Sequence, residues 1–123
     1  MKQTLFRAWD TEKQRMFHAM DKDIFCFYGD GRWSFSSGHS EGLTDRSGVL
    51  MQATGLKDRD SKDIYFEDIV TDDSFRLYVV DWYDNGWSLR EMNGSYSGHR
   101  HFKDVTYMAV IGNTFENPEL VNT

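Results

Sequence analysis

The stretch Leu77-Tyr78-Val79-Val80-Asp81-Trp82-Tyr83, followed by Asp84-Asn85-Gly86 and then by Trp87-Ser88-Leu89-Arg90-Glu91-Met92, decides the fold class. Asn-Gly accepts the positive φ angles that a tight type I′ turn requires, so the two flanking segments can fold back on each other. Aromatic and β-branched residues on both sides favour strand over helix. The stretch therefore predicts an antiparallel hairpin in the core sheet.

Further strands are predicted on both sides of this hairpin. A second hairpin places Ile24-Phe25-Cys26-Phe27-Tyr28 and Arg32-Trp33-Ser34-Phe35-Ser36 around Gly29-Asp30-Gly31. Four more strands are predicted at Arg15–Met20, Val49–Gln52, Asp68–Thr71 and Val105–Ile111. No stretch keeps the apolar spacing of an amphipathic helix for more than about two turns. The predicted fold is mainly β, a small barrel or sandwich-like domain with long loops and few short helices.

Length and composition indicate one domain. A chain of 123 residues can build a single core, because folding at this size buries roughly two-thirds of the unfolded surface. The polar stretch Gly38–Gly48 is interpreted as a loop, and the alternative is a boundary between a small N-terminal sheet and the rest. We expect residues 1–123 to form one domain, with 38–48 as the alternative sub-boundary.

Charge and cysteine content limit which cellular compartment and which binding partners we expect. Fourteen Lys and Arg against twenty Asp and Glu give a net charge of −6, which opposes nonspecific binding to duplex DNA. The single cysteine, Cys26, cannot form an internal disulfide. The sequence has no apolar run of about 18 residues and no apolar stretch typical of a secretory signal. We expect a cytoplasmic protein that does not associate with a membrane.

Short blocks of sequence carry a family resemblance. They are Phe6-Arg7-Ala8-Trp9-Asp10, Leu50-Met51-Gln52-Ala53-Thr54-Gly55-Leu56-Lys57-Asp58, Ile64-Tyr65, Asp68-Ile69-Val70, Val110-Ile111-Gly112-Asn113 and Glu116-Asn117-Pro118-Glu119-Leu120. In this order they resemble the YopX family of small phage and prophage proteins. The resemblance implies a mainly β, oligomeric, phage-encoded protein without an assigned reaction. Two positions depart from the family pattern: Glu67 stands where a glycine is usual, and Asp60-Ser61 stands where an Asn-Gly turn is common.

Two histidines form a candidate metal site, and surface histidines that bind no metal are the alternative interpretation. His99 and His101 form an i, i+2 pair that would share one face of a strand, and His18 or His39 would complete a site. No Cys or carboxylate stands nearby at a recognised spacing, and the neighbouring bases would repel a divalent cation. We therefore predict no metal site and no cofactor.

Catalytic motifs are also missing from the sequence. Cys26 stands in an apolar setting that raises the pKa of a thiol, and no nucleophile elbow, P-loop or dinucleotide fingerprint is present. The carboxylate pairs Glu67-Asp68 and Asp72-Asp73 do not converge, because adjacent residues of a strand point to opposite faces. We interpret them as turn and edge charges, and we predict that the protein is not an enzyme.

One combination of aromatic and basic residues predicts a ligand site. Trp82, Trp87, Arg90 and Arg100 occur within about twenty residues; ring faces stack on planar ligands and guanidinium groups hold anions. The alternative is that Trp82 and Trp87 face each other across the hairpin as core residues.

Three interpretations of the function follow. The first is a non-catalytic accessory protein that engages a host protein or sequesters a small nucleotide-type ligand such as a defence signal. The second is a nucleic-acid-associated module. The third is an acidic DNA mimic, against which the alternating charges of Lys57–Asp63 argue. A closed homo-oligomer is expected from the resemblance and from nineteen aromatic residues, nine Phe, six Tyr and four Trp, more than a small core hides.

Overall fold

Eleven strands and two short 3₁₀ helices form the described part of a computed structural model, which covers residues 6–18, 24–29, 32–36, 43–44, 47–83, 86–91 and 101–120. The strands are β1 Phe6–Asp10, β2 Arg15–His18, β3 Ile24–Phe27, β4 Trp33–Ser36, β5 Leu43–Thr44, β6 Gly48–Lys57, β7 Asp63–Tyr65, β8 Asp68–Thr71, β9 Leu77–Tyr83, β10 Gly86–Glu91 and β11 Ala109–Asn113. The helices span Phe102–Tyr107 and Pro118–Leu120. The sheets are antiparallel and curled, which confirms the predicted mainly β fold with few short helices. None of the helices in these ranges is long and apolar enough to cross a membrane.

The chain divides into two compact units, Leu5–Gln52 and Ala53–Thr123, called here the N-terminal and C-terminal units. The division falls inside β6 and not in 38–48. The first half of β6 pairs with β1, and its second half pairs with β7. That residues 1–123 act as one domain stays a prediction.

The N-terminal unit contains two sets of paired strands. β1 pairs with β2 and with the first half of β6, and β4 pairs with β3 and β5. Ala8 and Trp33 are buried, and Phe17 and Leu50 pack against them. The hairpin of β3 and β4 confirms the second predicted hairpin. The interpretation of 38–48 as a loop is corrected at β5, which lies inside it and pairs Leu43 with Phe35.

The C-terminal unit is built on a sheet with the strand order β10-β9-β8-β11. The predicted hairpin of β9 and β10 is present with Trp87 opposite Trp82, and β8 pairs with β9 through Ile69 and Val79. Alternate residues of these strands point to one face and form its core. The buried members of this core are Ile64, Val70, Tyr78, Val80, Leu89, Val105 and Met108.

One other sequence expectation is wrong in detail. The strand predicted at Val105–Ile111 begins only at Ala109, because the preceding residues form the first 3₁₀ helix. Val105 and Met108, three residues apart, are both buried in the core, so tertiary packing overrides the strand propensity of Val105. Strand β6 continues through Gly55, at φ +88°, to Lys57 with a register shift against β7.

Candidate functional site

The two tryptophans of the predicted site meet across the β9–β10 hairpin. The ring centroids of Trp82 and Trp87 lie 5.2 Å apart at an interplanar angle of 87°, the edge-to-face geometry that aromatic quadrupoles favour. Trp87 is partly buried against the core, whereas Trp82 is 54% exposed. The core interpretation therefore holds for Trp87. Trp82 is largely accessible to solvent, and its role in ligand binding stays a prediction.

Trp87, which contacts Trp82, is itself packed against two further aromatic rings. The ring of Trp87 stacks on Phe102 at a centroid distance of 6.2 Å and an angle of 25°, and it lies 6.3 Å from Phe66. Phe102 opens the first 3₁₀ helix, where the exposed residues His101 and Lys103 flank it in the chain. The structure therefore adds Phe102 and its two flanking residues to the surroundings of the hairpin.

Arg90 lies on the opposite face of the hairpin from the tryptophans. Three residues separate it from Trp87, and side chains of a strand alternate between faces. Its Nε lies 3.3 Å from Asp81 Oδ2, a partly buried ion pair between β10 and β9. Of the four predicted site residues, the structure thus brings Trp82 and Trp87 together and places Arg90 apart from them. Arg100 lies outside the described residues.

The residues considered for metal binding and nucleophilic chemistry are incompletely described. His39 and His99 lie outside the described ranges, whereas His18 and His101 are exposed. Cys26 lies in β3, and its side chain is outside the description. Within the ranges that the structure describes, no three His, Cys, Asp or Glu side chains gather closely enough to hold a metal ion.

Loops of the C-terminal unit contain buried carboxylates. One of them, Asp58, accepts a hydrogen bond from a residue 52 positions away in the chain. Its Oδ1 accepts hydrogen bonds from the N–H groups of Asp60 at 2.8 Å and Lys62 at 2.9 Å. Its Oδ2 accepts one from the N–H of Val110 at 2.8 Å. β11 is an outer strand of its sheet. The hydrogen bond to Asp58 therefore holds the loop after β6 against the free edge of β11, and the loop covers that edge.

The same contacts set the ionisation of Asp58. Burial raises the pKa of this carboxyl, but the N–H groups of Val110, Lys62 and Asp60 and the charge of Lys62 lower it, and the pKa lies below its ordinary value. A general acid or base at neutral pH needs a pKa near the working pH. Asp58 is therefore suited to a structural role as a permanent acceptor.

Other buried aspartates hold their turns in the same way. Asp10 Oδ1 accepts from the N–H groups of Glu12 and Lys13, Asp68 Oδ2 from that of Tyr65, and Asp72 Oδ1 from those of Ser74 and Arg76. The interpretation of Asp68 and Asp72 as turn charges is confirmed. Their burial, 1% and 6% exposed, was not expected, and it follows because backbone donors replace the water that a carboxylate would otherwise need.

The closing block of the sequence bonds mainly to itself. Asn113 Oδ1 accepts from the N–H groups of Phe115 at 3.1 Å and Glu116 at 2.8 Å, and the N–H of Asn113 donates to Asn117 Oδ1 at 3.2 Å. A Cβ atom at Gly112 would lie 2.3 Å from Asn117 Oδ1. Any side chain at this position, next to a bulge in β11, would therefore have to displace the Asn117 side chain, a cost that glycine avoids.

The two departures from the family pattern fall on strained backbone. Ser61 has φ +66° and Glu67 has φ +73°, in the left-handed region that glycine adopts at least cost. Glu67 also gains a contact that glycine lacks, because its carboxylate accepts a hydrogen bond from the Thr114 hydroxyl. The strands that follow these loops are β7, which contains Ile64 and Tyr65, and β8, which confirms the strand predicted at Asp68–Thr71.

Comparisons with known proteins agree with this architecture. The structure is similar to protein EF1440 from Enterococcus faecalis, with a TM-score of 0.72 and 21% identity over 99% of this chain and 100% of that one. It is also similar to protein yopX from Bacillus subtilis, with a TM-score of 0.65 and 22% identity over 94% of this chain and 96% of that one. At such identities the likeness shows the fold. No match was found among curated proteins.

A family model connects the sequence blocks with this fold. The model described as YopX protein matches residues 5–122, a range that contains every block quoted above. The match covers nearly the whole chain, and the chain belongs to the YopX family.

Proposed function

We propose that the chain is a non-catalytic accessory protein of phage or prophage origin that binds a planar, anionic, nucleotide-type ligand. The site is the Trp82 surface, defined as Trp82, Trp87 and Phe102 with the flanking residues His101 and Lys103. The observation that carries the proposal is Trp82 itself, 54% exposed and held edge-on against Trp87. A ring fixed by its neighbours loses little freedom when a base stacks on it.

Charge and the buried carboxylates support this choice. Lys103 supplies an exposed cation beside Phe102. Arg100, predicted from the sequence as an anion-binding residue, lies outside the described residues and remains a prediction. Arg90 is not included in the Trp82 surface, because its guanidinium faces away from Trp82 and pairs with Asp81. Asp58, whose pKa is lowered by backbone donors, is occupied in holding a loop, which favours binding over catalysis.

Retained ligand and nucleotide titration test the proposal. Native mass spectrometry of protein purified from cells should show a bound nucleotide, and calorimetric titration should show binding of a mono-, di- or cyclic nucleotide. Trp82→Ala should weaken that binding about five- to 150-fold, the scale of a lost base–aromatic stack of about 1–3 kcal/mol. Tyr107→Ala is the matched control, since Tyr107 is another exposed aromatic residue, at 77%, outside the proposed site. Equal loss in both variants, or no binding of any nucleotide, would contradict the proposal.

A nucleic-acid-associated module is the second candidate, favoured by the same exposed ring beside a lysine. Several bases of a single strand would stack in succession, and affinity would fall steeply with salt. A gel-shift assay with a short single strand at low salt separates this candidate from a nucleotide binder. The net charge of −6 opposes it and ranks it second.

Self-association and a cytoplasmic location complete the proposal. Outside the Trp82 surface, other large apolar side chains remain exposed on the described part of the chain: Tyr28, Phe75, Tyr107 and Ile111. Surplus apolar surface of this kind favours an interface. Light scattering should show a closed homo-oligomer, and a monomer at micromolar concentration would refute this part of the proposal.

A further inference from the structure

The β9–β10 hairpin extends past the strand that pairs with the other side of β9. Strand β8 pairs with β9 from Leu77 to Val79, and the N–H of Glu67 then donates to the main-chain oxygen of Val80 at 2.9 Å. In the described ranges, no strand pairs with that side of β9 after Val80. Trp82 therefore lies where β9 has a strand on one side only.

The backbone N–H of Trp82 points away from β10. Tyr83 and Gly86 form the pair next to the turn, and Trp82 is opposite Trp87 in the following pair. The pair that closes a two-residue turn is hydrogen-bonded, and hydrogen-bonded and non-hydrogen-bonded pairs alternate along an antiparallel ladder. Trp82 and Trp87 are therefore a non-hydrogen-bonded pair, whose side chains approach closely and whose N–H groups face outward. The N–H of Trp82 thus lies on the side of β9 that has no neighbouring strand.

Asp81 supplies the acceptor for this N–H. Its Oδ1 accepts a hydrogen bond from the N–H of Trp82 at 2.8 Å. Its Oδ2 lies 3.3 Å from Nε of Arg90, and 17% of the Asp81 side chain and 31% of the Arg90 side chain are accessible. Arg90 is opposite Val79 in the ladder, so it reaches Asp81 along a diagonal that long side chains can span. A guanidinium on one face of the sheet thus holds the carboxylate that restrains the backbone of Trp82.

We propose that Asp81 and Arg90 are positioning residues of the Trp82 surface and that neither contacts the ligand. The effect on affinity rests on the proposed function, in which a base stacks on the exposed ring of Trp82. A ring on a restrained backbone, held edge-on by Trp87, has little freedom left to lose on binding, so each restraint lowers the cost of stacking. Arg90 acts on the site through Asp81.

The sign of the change in affinity separates positioning from electrostatics. Asp81 is a negative charge near a site for an anion, so its removal should strengthen binding if charge alone matters. Loss of positioning has the opposite sign: Asp81→Ala should weaken nucleotide binding about two- to ten-fold, the scale of ordering one side chain. Asp73→Ala is the matched control, because it removes the same charge and an ion pair, to Arg59 at 3.1 Å. Equal weakening in both variants, or tighter binding in Asp81→Ala, would overturn the proposal.

Circular dichroism tests the positioning without any ligand. Two indole rings at a fixed angle give an exciton couplet in the far UV, and the difference between the parent protein and Trp82→Phe measures it for this pair. Asp81→Ala should reduce the couplet. Asp81→Asn should retain more of it, because the amide oxygen can still accept from the N–H of Trp82. Asp58→Asn, which destabilises a loop of the same unit, should leave it unchanged.

The couplet also keeps this proposal apart from the proposed function. An undiminished couplet in Asp81→Ala, or equal losses in Asp81→Asn and Asp81→Ala, would overturn the positioning role even if nucleotides bind. A couplet that falls as expected, in a protein that binds no nucleotide, would support the positioning of Trp82 and contradict the proposed function alone.

Arg90→Met separates action through Asp81 from direct contact with the anion. On its own this change should reduce both the couplet and the affinity. In an Asp81→Ala background it should change neither further, because the group through which Arg90 acts is already absent. A further loss of affinity beyond about two-fold in that background would show that Arg90 holds the anion itself, and it would overturn the proposal.

Discussion

The loops around Asp58 and Asn113 and the Trp82 surface differ in how the sequence encodes them. Asp58 and Asn113 belong to the blocks that carry the resemblance to the YopX family. Their side-chain oxygens accept hydrogen bonds from backbone N–H groups. Trp82, Trp87 and Phe102 all lie outside those blocks. The family signature of this chain therefore lies in the strands and loops that build the fold, and the Trp82 surface is not part of it.

This difference explains why the family is easy to identify and the ligand is not. A carboxylate that must satisfy two or three backbone donors leaves little freedom in residue type or spacing. An exposed aromatic residue is constrained only by what it binds. Similarity to the structures from Enterococcus faecalis and Bacillus subtilis, at 21% and 22% identity, thus reports the fold and leaves the binding surface to be tested residue by residue.

Truncation of the two tryptophans gives the largest contrast that we expect within the hairpin. Trp87→Ala should lower the free energy of unfolding by about 3 kcal/mol, because Trp87 packs on the core cluster. Trp82→Ala should lower it by about 1 kcal/mol, since mainly the edge-to-face contact is lost. Urea denaturation followed by far-UV circular dichroism measures both. Equal losses would show that Trp82 belongs to the core and would weaken its assignment as a binding residue.

Asp58→Asn tests the loop side of the comparison. An amide cannot accept from all three N–H donors with the same strength, so we expect the free energy of unfolding to fall by roughly 2 kcal/mol at neutral pH. Because the folded pKa of Asp58 is lowered, its stabilisation is present above the unfolded pKa of about 4 and is lost as pH falls through the folded value. The gap between the two proteins should therefore narrow below about pH 4.

Denaturation at several pH values is the measurement, with Asp60→Asn as the control. Asp60 is an exposed neighbour that contributes only its backbone N–H to the loop, so its replacement should change stability little at any pH. A gap between Asp58→Asn and the parent protein that stays constant down to acid pH would contradict the role of the ionised carboxylate.

Local signals predicted most of the fold, and contacts distant in sequence account for what they missed. The hairpin of β9 and β10 followed from Asn85-Gly86, because a turn fixes the register of the strands beside it. The hydrogen bond from Val110 to Asp58 joins residues that are 52 positions apart, and no sequence pattern within either segment predicts it. The 3₁₀ helix replaced the strand predicted at Val105 because burial of Val105 and Met108 depends on strands elsewhere in the core.

The candidate site was predicted in part for the same reasons. The opposition of Trp82 and Trp87 follows from the turn, but the exposure of Trp82 depends on which residues cover that face. The separation of Arg90 from the tryptophans could be predicted from the sequence. Two residues that are three positions apart on a strand, such as Trp87 and Arg90, point to opposite faces of the sheet. The positive φ of Phe75 left no local signal, because the turn around it is held by hydrogen bonds to the buried carboxylate of Asp72.

A smaller loss is expected from Gly112→Ala in the closing loop. The added methyl group would meet the Asn117 side chain at 2.3 Å and displace the acceptor of the Asn113 N–H, at a cost of about 1.5 kcal/mol. In Gly112→Ala/Asn117→Ala the amide that causes the severe clash is gone and only the Cβ of residue 117, at 3.2 Å, remains close, so the double variant should lose less than the sum of the single losses. Strict additivity in this double-mutant cycle would show that the two residues do not meet.

The smallest effect, and one in the opposite direction, is expected at the two departures from the family pattern. Ser61→Gly should raise the free energy of unfolding by about 0.5 kcal/mol, because relief of the strain at φ +66° slightly exceeds the entropy that glycine adds to the unfolded chain. Glu67→Gly relieves a similar strain but loses the hydrogen bond from Thr114, so it should give no gain. Thermal unfolding of both variants, with Glu67→Gly repeated in a Thr114→Val background, separates the two contributions. In that background the hydrogen bond is already absent, and Glu67→Gly should then stabilise the chain as Ser61→Gly does; a loss there would mean that the Glu67 side chain supports the loop by another contact.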